Sequence, residues 1–321
     1  MSMSARLLFT RGLIKPHISV QLPRHTTTTS RMSTAAKTPA VPRLSASLLL
    51  LNPRNEILLI HRPTHSSTFP NAHVFPGGAT SPDDSASADP LKHCAIRETF
   101  EETGLLLTHP PPPPSLIPGI PAARSQIHSG ALSFAAYLKA NNLTPAVDDL
   151  IPFTKWITPE SMPRRFETHM FLYLLPADHA STAAAQRPTS DGGIETLSAR
   201  FITPHSALAA AARNELVLFP PQFYLLSSLL PYLPGGAEEE AGLEDHVAKV
   251  RRRRRRLLRF ARGDFGAMVM EPAPLRRLGD GRVVMGLGPR GDQERAVVIQ
   301  VAERGEPRGL EMVGRGEVAR L

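Results

Sequence analysis

Between Arg97 and Leu105 the chain reads Arg-Glu-Thr-Phe-Glu-Glu-Thr-Gly-Leu. On a helix advancing about 100° per residue, Glu102 lies about 40° from Glu98, and Glu101 lies about 60° to its other side. Three carboxylates therefore share one face. Like charges so placed repel by a few tenths of a kcal/mol per pair, and a hard divalent cation, Mg²⁺ or Mn²⁺, is the natural compensation for such oxygens. Arg97, four residues before Glu101, offsets part of the repulsion. Taken alone, a Glu-rich helix face is more often solvated surface, so the surrounding elements decide.

Those elements are legible. Asp89-Pro90 supplies a helix N-cap and a proline at the first helical position, and Gly104 supplies the stop, which brackets a helix of about four turns. Upstream, Ser45 to Leu51 and Glu56 to His61 read as two strands joined by the turn residues Asn52-Pro53-Arg54-Asn55, a hairpin. An extended stretch from Ala72 to Pro76 runs into Gly77-Gly78, and a Ser/Asp-rich loop follows from Thr80 to Ala88. Downstream, Leu105 to Leu107 reads as a short buried strand and Pro110 to Pro114 as polyproline. Arg124 to Asn141 looks helical, Leu150 to Ile157 and Phe166 to Leu175 look like strands, and Phe201 to Thr203 ends another strand before a helix to about Arg213. A further helix runs from Phe219 toward Leu233. At Gly235-Gly236 the composition shifts to a linker, and the remainder, with Val-rich runs such as Arg295 to Val301, predicts a small β-rich appendage.

With Gly78 ahead of it, the helical segment resembles the Nudix box, G-x5-E-x7-R-E-U-x-E-E-x-G-U, where U is a bulky aliphatic residue. Gly78, Arg97, Glu98, Glu101, Glu102, Gly104 and Leu105 fill their slots. Asp89 takes the first acid's place, seven residues before Arg97 but ten rather than five after Gly78, and Thr99 stands where an aliphatic residue belongs. The resemblance implies a Nudix α/β/α sandwich around a mixed β-sheet, acting as a hydrolase of diphosphates. It implies Glu98 and Glu102 as metal ligands, Glu101 as ligand or proton acceptor, the Gly78 carbonyl as a further ligand, and Arg97 as the residue that orients a glutamate. Glu195, in a later loop, is where some relatives carry an extra acid, although a surface carboxylate is the plainer reading.

A narrower resemblance spans about Ser45 to Leu233. Phe69-Pro70-Asn71-Ala72-His73-Val74-Phe75-Pro76-Gly77-Gly78, Trp156-Ile157-Thr158-Pro159, Pro163-Arg164-Arg165-Phe166-Glu167-Thr168-His169 and Leu218-Phe219-Pro220-Pro221 are similar to the Nudix motif 19 subgroup. That implies cleavage of coenzyme A or acyl-CoA to 3′,5′-ADP and (acyl-)4′-phosphopantetheine. The additional Arg-spaced signature of other CoA-cleaving relatives is not reproduced between Leu58 and Gly78. Arg164 and Arg165 are candidates for phosphate, since guanidinium matches phosphate in bidentate fashion, or else pair structurally with Glu160 or Glu167. Trp156, Phe166 and Phe171 could stack on adenine, with core packing the commoner role. Two alternatives stay open: hydrolysis of a nucleotide sugar or other nucleoside diphosphate, and a catalytically silent scaffold binding RNA or a partner through its Arg-rich tail.

Composition narrows the class. The chain has 321 residues, 41% hydrophobic and 21% charged, which is globular rather than disordered. Its single cysteine, Cys94, excludes an internal disulfide framework and a cysteine-clustered zinc site, and reads as a small buried residue. No apolar run is long enough to span a bilayer. The net charge of +8 is segregated: residues 1–55 carry eight basic residues and no acid, whereas the middle of the chain is acidic. An acidic middle argues against a nucleic-acid partner and suits a small-molecule substrate at a carboxylate-rich site. Arg251 to Arg256 reads as a solvated basic helix, or else as a surface for RNA, anionic lipid or a receptor.

The boundaries expected are a targeting presequence at 1–43, a Nudix domain at 44–234, a linker and basic helix at 235–262, and a β-rich extension at 263–321. The acid-free head, rich in Arg, Ser and Thr, resembles a mitochondrial presequence, and Ala319-Arg320-Leu321 resembles a peroxisomal address. Mitochondrion, peroxisome or both are therefore expected, with organelle import receptors as partners.

Overall fold

The computed structural model describes residues 39–66, 69–177, 186–233, 243–302 and 306–321. The expected presequence and the Gly235-Gly236 linker lie outside them, apart from residues 39–43. Pro39 to Leu321 forms one compact unit. In chain order its strands and helices are β1 (Arg43–Leu51), β2 (Ile57–His61), β3 (His73–Val74), β4 (Gly77–Ala79), α1 (Pro90–Thr103), β5 (Thr108–His109), α2 (Ile120–His128) and α3 (Phe134–Ala140). There follow β6 (Thr144–Pro145), β7 (Ile151–Ile157), β8 (Phe166–Leu174), β9 (Ser198–Ile202), α4 (Pro204–Ala212), α5 (Pro220–Leu229), α6 (Leu243–Arg262) and α7 (Asp264–Ala267). The chain closes with β10 (Val269–Met270), β11 (Ala273–Arg277), β12 (Val283–Gly286), β13 (Arg295–Val301) and β14 (Pro307–Gly314).

The run Ala46 to Leu51 shows no alternation of apolar and polar residues because β1 is covered on both faces. Leu48 and Leu50 point into a core with Ile96, Phe100 and Phe134 from α1 and α3. Leu49 and Leu51 point the other way, into a core with Tyr224, Leu225 and Leu229 of α5 and Leu257 of α6. Helices thus cover both sides of one mixed sheet, ordered β10-β7-β8-β1-β2-β3, with β4 on β1 and β9 on β2. β1 runs parallel to β8 from Arg43↔Phe166 to Leu51↔Leu174 and antiparallel to β4 through Ser47↔Gly77. This is the α/β/α sandwich the sequence predicts.

Two expected elements differ. Arg124 to Asn141 is not one helix but α2 and α3, broken around Gly130, whose φ is 72°. Leu105 to Leu107 is buried but, among the described residues, pairs with no strand. Instead the Gln186 side chain accepts from the Leu106 N–H at 2.8 Å and donates to its carbonyl at 3.1 Å, taking a strand partner's place.

The C-terminal strands β11-β12-β13-β14 form a separate antiparallel sheet. One face holds Val284, Ala296, Val298 and Val313. The other adds Val297 to the core shared by α5 and α6, with Ile299, Leu310 and Met312 packed against it. Among the described residues, no helix is long and apolar enough to cross a membrane.

Candidate functional site

α1 carries the expected carboxylates because its ends are well defined: Asp89 Oδ1 accepts from the Lys92 N–H at 3.2 Å, and Gly104 closes the helix at φ 74°. Near the C-terminal end, Arg124 donates to the Glu101 carbonyl at 3.0 and 2.7 Å, satisfying a carbonyl near the helix end. Thr99 fits an apolar slot because its hydroxyl returns to the Ala95 carbonyl at 2.7 Å. Cys94 is buried, and burial pushes its thiol far above the ordinary range, so it offers no nucleophile.

Glu98 and Glu102 are buried and line a cleft of about 610 Å³. Glu102 accepts from the Gly77 N–H at 2.9 Å and meets Arg62 Nη1 at 3.4 Å. Glu98 meets Arg97 Nη1 at 2.9 Å, and the same nitrogen donates to Glu101 at 3.1 Å. Glu101 is thereby tied to Arg97 and does not line the cleft. Gly77, at φ 154°, and Gly78 form the facing wall. A Cβ on Gly77 would collide with the Ala46 carbonyl, and one on Gly78 would sit 2.5 Å from the Glu98 carboxyl atoms. The absence of a side chain at Gly78 is what admits that carboxylate.

The electrostatics follow from burial. Burial raises Glu98 to about 7, with Arg97 opposing and Glu101 and Glu195 adding. Glu102 is raised well above its ordinary value, first by burial and then by Glu98, against the relief given by Arg62 and the Gly77 N–H. Glu101 is raised by burial against the pull of Arg97. Two neighbouring buried carboxylates that resist ionising together are the donor chemistry a hard divalent cation satisfies. Among the described residues no group of three His, Cys, Asp or Glu is preassembled around one point. The donors that fit are Glu98 and Glu102, both buried and lining the cleft.

The structure corrects the position of the box's first acid. Asp89 is only the helix cap. Asp84, with five residues between it and Gly78, is fully buried and takes Arg97 by two edges, at 3.0 Å from Nε and 2.8 Å from Nη2, with His93 Nδ1 at 2.8 Å. Burial alone would raise the Asp84 carboxyl, but bonds to His93, Arg97 and the Ser81 N–H hold it far below the usual range. The five inserted residues fall after this acid rather than before it, and the Gly-x5-acid spacing was the signal that could have found it.

Arg164 lines the cleft with Arg43 and Arg62. Arg165 does not: it is buried and donates to the carbonyls of Thr158 and Ala40, both at 3.0 Å. Trp156 and Phe166 line the cleft, whereas Phe171 is core. Glu195 also reaches the cleft, because Asp191 accepts from the N–H groups of residues 193–196 and shapes that loop. Arg254, inside the basic run, is buried and spent on Asn52, Asn55 and Leu175. Arg43, Arg62 and Asp84 were missed, and nothing local marks the first two.

A sandwich whose helix presents these carboxylates to a Gly-Gly strand has the α/β architecture expected of a Nudix fold, and part of the chain is similar to known proteins of that kind. Residues 82–229 match the family model described as the NUDT19 Nudix domain. Over those residues the chain is similar to the Nudix family, and within it to NUDT19. It is 29% identical over 189 residues to putative nudix hydrolase 7 of Caenorhabditis elegans, covering 58% of this chain and 60% of that one. It is 28% identical to the acyl-coenzyme A diphosphatase NUDT19 of Xenopus laevis, covering 56% and 60%, and 30% identical to that of Homo sapiens, covering 47% and 41%. The chain thus spans about three fifths or less of the length of these relatives. A crystal structure of a Nudix hydrolase from Alicyclobacillus acidocaldarius is similar at TM-score 0.49 and 24% identity, covering 60% of this chain and 92% of that one.

Proposed function

We propose that this chain is a divalent-metal-dependent Nudix diphosphatase that splits the pyrophosphate of coenzyme A or acyl-CoA into 3′,5′-ADP and (acyl-)4′-phosphopantetheine. The observation that carries the reading is the pair Glu98 and Glu102, buried on α1 and facing Gly77-Gly78 in a cleft that also carries Arg43, Arg62 and Arg164. Acids for a cation stand beside bases for phosphate. The names of the frog and human relatives supply the substrate class.

Glu98, Glu102 and the Gly78 carbonyl would hold Mg²⁺ or Mn²⁺, while Glu101, tied to Arg97, stands outside the cleft. Such a cation, when bound, neutralises phosphoryl charge and lowers the pKa of water. The chain's own residues do the rest. Arg164 and Arg62 orient the diphosphate oxygens through charge-assisted hydrogen bonds, and Arg97 keeps Glu98 and Glu101 in place while anchored on Asp84. Glu195, exposed at the cleft, takes the proton of the attacking water on its carboxylate.

Mass spectrometry of products from the full chain tests this, with Mg²⁺ or Mn²⁺ and a panel of CoA, acetyl-CoA, NADH, ADP-ribose and nucleotide sugars. Preferential release of 3′,5′-ADP with phosphopantetheine is expected, and Glu102→Gln should lower kcat by about 100-fold or more. Cleavage of another panel member instead would overturn the CoA assignment. Delivery to mitochondria or peroxisomes through import receptors belongs to the same proposal. Fluorescent fusions with and without residues 1–31 and Leu321 would read it, and an unchanged distribution across all the fusions would end it.

A further inference from the structure

One wall of the cleft comes from outside the segment that matches the Nudix-domain model. That match ends at residue 229, yet Pro272, Met285, Ile299, Val301 and Pro307 line the same cleft as Glu98 and Glu102. β13 shows how this happens. Alternate residues of a strand share a face, and along one face of β13 Val297 is fully buried in the main core, Ile299 is half-buried, and Val301 is 54% exposed. Met285 pairs with Val297 across the ladder and lies on that face. The apolar surface that docks the sheet onto the core therefore continues beyond the core into the cleft.

Other sides of the cleft are apolar as well. Phe69 and Met162 line it while 38% and 47% exposed. Large apolar side chains left in water around one concave site mark a ligand surface. The diphosphate matches the half that carries Glu98, Glu102 and the arginines. Neither a diphosphate nor a sugar matches the half made by Met285, Ile299 and Val301, which would stay wet beside such a substrate.

We propose that the C-terminal sheet forms a binding wall for an apolar chain carried at the far end of the substrate, a fatty-acyl thioester, with Met285, Ile299 and Val301 as its contacts. This rests on the diphosphatase reading above and extends it: a part of the molecule beyond the matched Nudix segment selects which diphosphates are preferred.

The test compares the wild-type chain with the triple variant Met285→Thr, Ile299→Thr, Val301→Thr. Threonine is β-branched and favours strands at all three positions, so circular dichroism and thermal melting suffice as a fold control. Two quantities are read: kcat/KM for free, butanoyl-, octanoyl- and dodecanoyl-CoA, and, by calorimetry, the Kd of dodecanoyl-4′-phosphopantetheine, which lacks the nucleotide and the diphosphate. The ratio of dodecanoyl-CoA to free CoA turnover should exceed one in the wild type and fall on the order of tenfold in the variant, with the Kd weakening by a similar factor. The same chain-length profile in both proteins would overturn the wall and leave the diphosphatase standing. If no CoA compound is cleaved while another diphosphate is, the diphosphatase reading for CoA fails, and the Kd alone decides the wall: weaker binding by the variant sustains it, equal binding overturns it. Should the triple variant not fold, Val301→Thr at the exposed strand end is read in the same way, with about a threefold change expected.

Discussion

Asp84 and Asp89 have the same side chain and opposite consequences. Asp84 is fully buried and bonded to Arg97 and His93, so Asp84→Asn leaves a buried guanidinium short of its counter-charge. Urea unfolding should register a loss of about 3 kcal/mol. Asp89→Ala removes only a helix cap and should cost about 1 kcal/mol; equal losses would return the anchoring role to Asp89. His73 makes a pH prediction. Its Nδ1 accepts from the Val217 N–H at 3.3 Å, and burial, followed by His61 and Arg200, lowers its pKa from 6.5 to about 4. A ring that must accept cannot be protonated without losing that bond. Below pH 6.5 the unfolded chain binds the proton more readily than the folded one, so this contribution is complete above 6.5 and is lost as pH falls toward 4. The NMR titration of His73 should have its midpoint near 4, and His73→Gln should flatten the stability profile across that window.

At the scale of elements, α6 shows how one position reverses the meaning of a charge run. Val250, Leu257 and Ala261 form the buried stripe of this helix, and Arg254 occupies the remaining place in the 4-3-4 spacing. Its guanidinium donates to the Asn52 carbonyl at 2.7 Å and to Asn55 Oδ1 at 2.8 Å, clamping the β1–β2 turn, and also bonds the Leu175 carbonyl. Burial lowers its pKa to about 10, which leaves it charged at neutral pH. Arg254→Met should cost about 3 kcal/mol, because several buried acceptors lose their donor together. Arg255→Ala, on the exposed side, should stay within about 0.5 kcal/mol. Thermal or denaturant unfolding of both variants distinguishes a clamp from a uniformly solvated helix.

At the scale of the whole molecule, a polar joint ties the C-terminal sheet to α5. Tyr224 donates to Asp292 at 2.5 Å, Arg295 pairs with Asp292 at 2.6 Å and reaches Ser228 at 3.2 Å, and its guanidinium lies 5.1 Å over the Tyr224 ring. Val297 adds an apolar contact in the same core. Tyr224→Phe should therefore cost about 1–2 kcal/mol and leave one cooperative transition when the near-ultraviolet and far-ultraviolet signals are followed together. Two separated transitions would mean that the sheet unfolds on its own.

Local pattern determined much of this protein. The caps Asp89 and Gly104, the apolar run of β1 and the spacing of Glu98, Glu101 and Glu102 were all readable, because capping, burial of a central strand and helical periodicity act over a few residues. The resemblance to the Nudix box supplied the wall at Gly78. Gly-x5 spacing points to Asp84 and Asp-x7-Arg spacing to Asp89, and tertiary structure decided between them, because folding buries Asp84 against Arg97 and leaves Asp89 at the helix cap. It also turned Arg165 and Arg254 inward to backbone carbonyls, let Gln186 stand in for a strand partner of Leu106, and brought Arg62, Glu195 and the last face of β13 to one cleft. Gln186 and Arg254 meet partners 79 to 202 residues away, and a sequence specifies such meetings only through the packing of the whole chain.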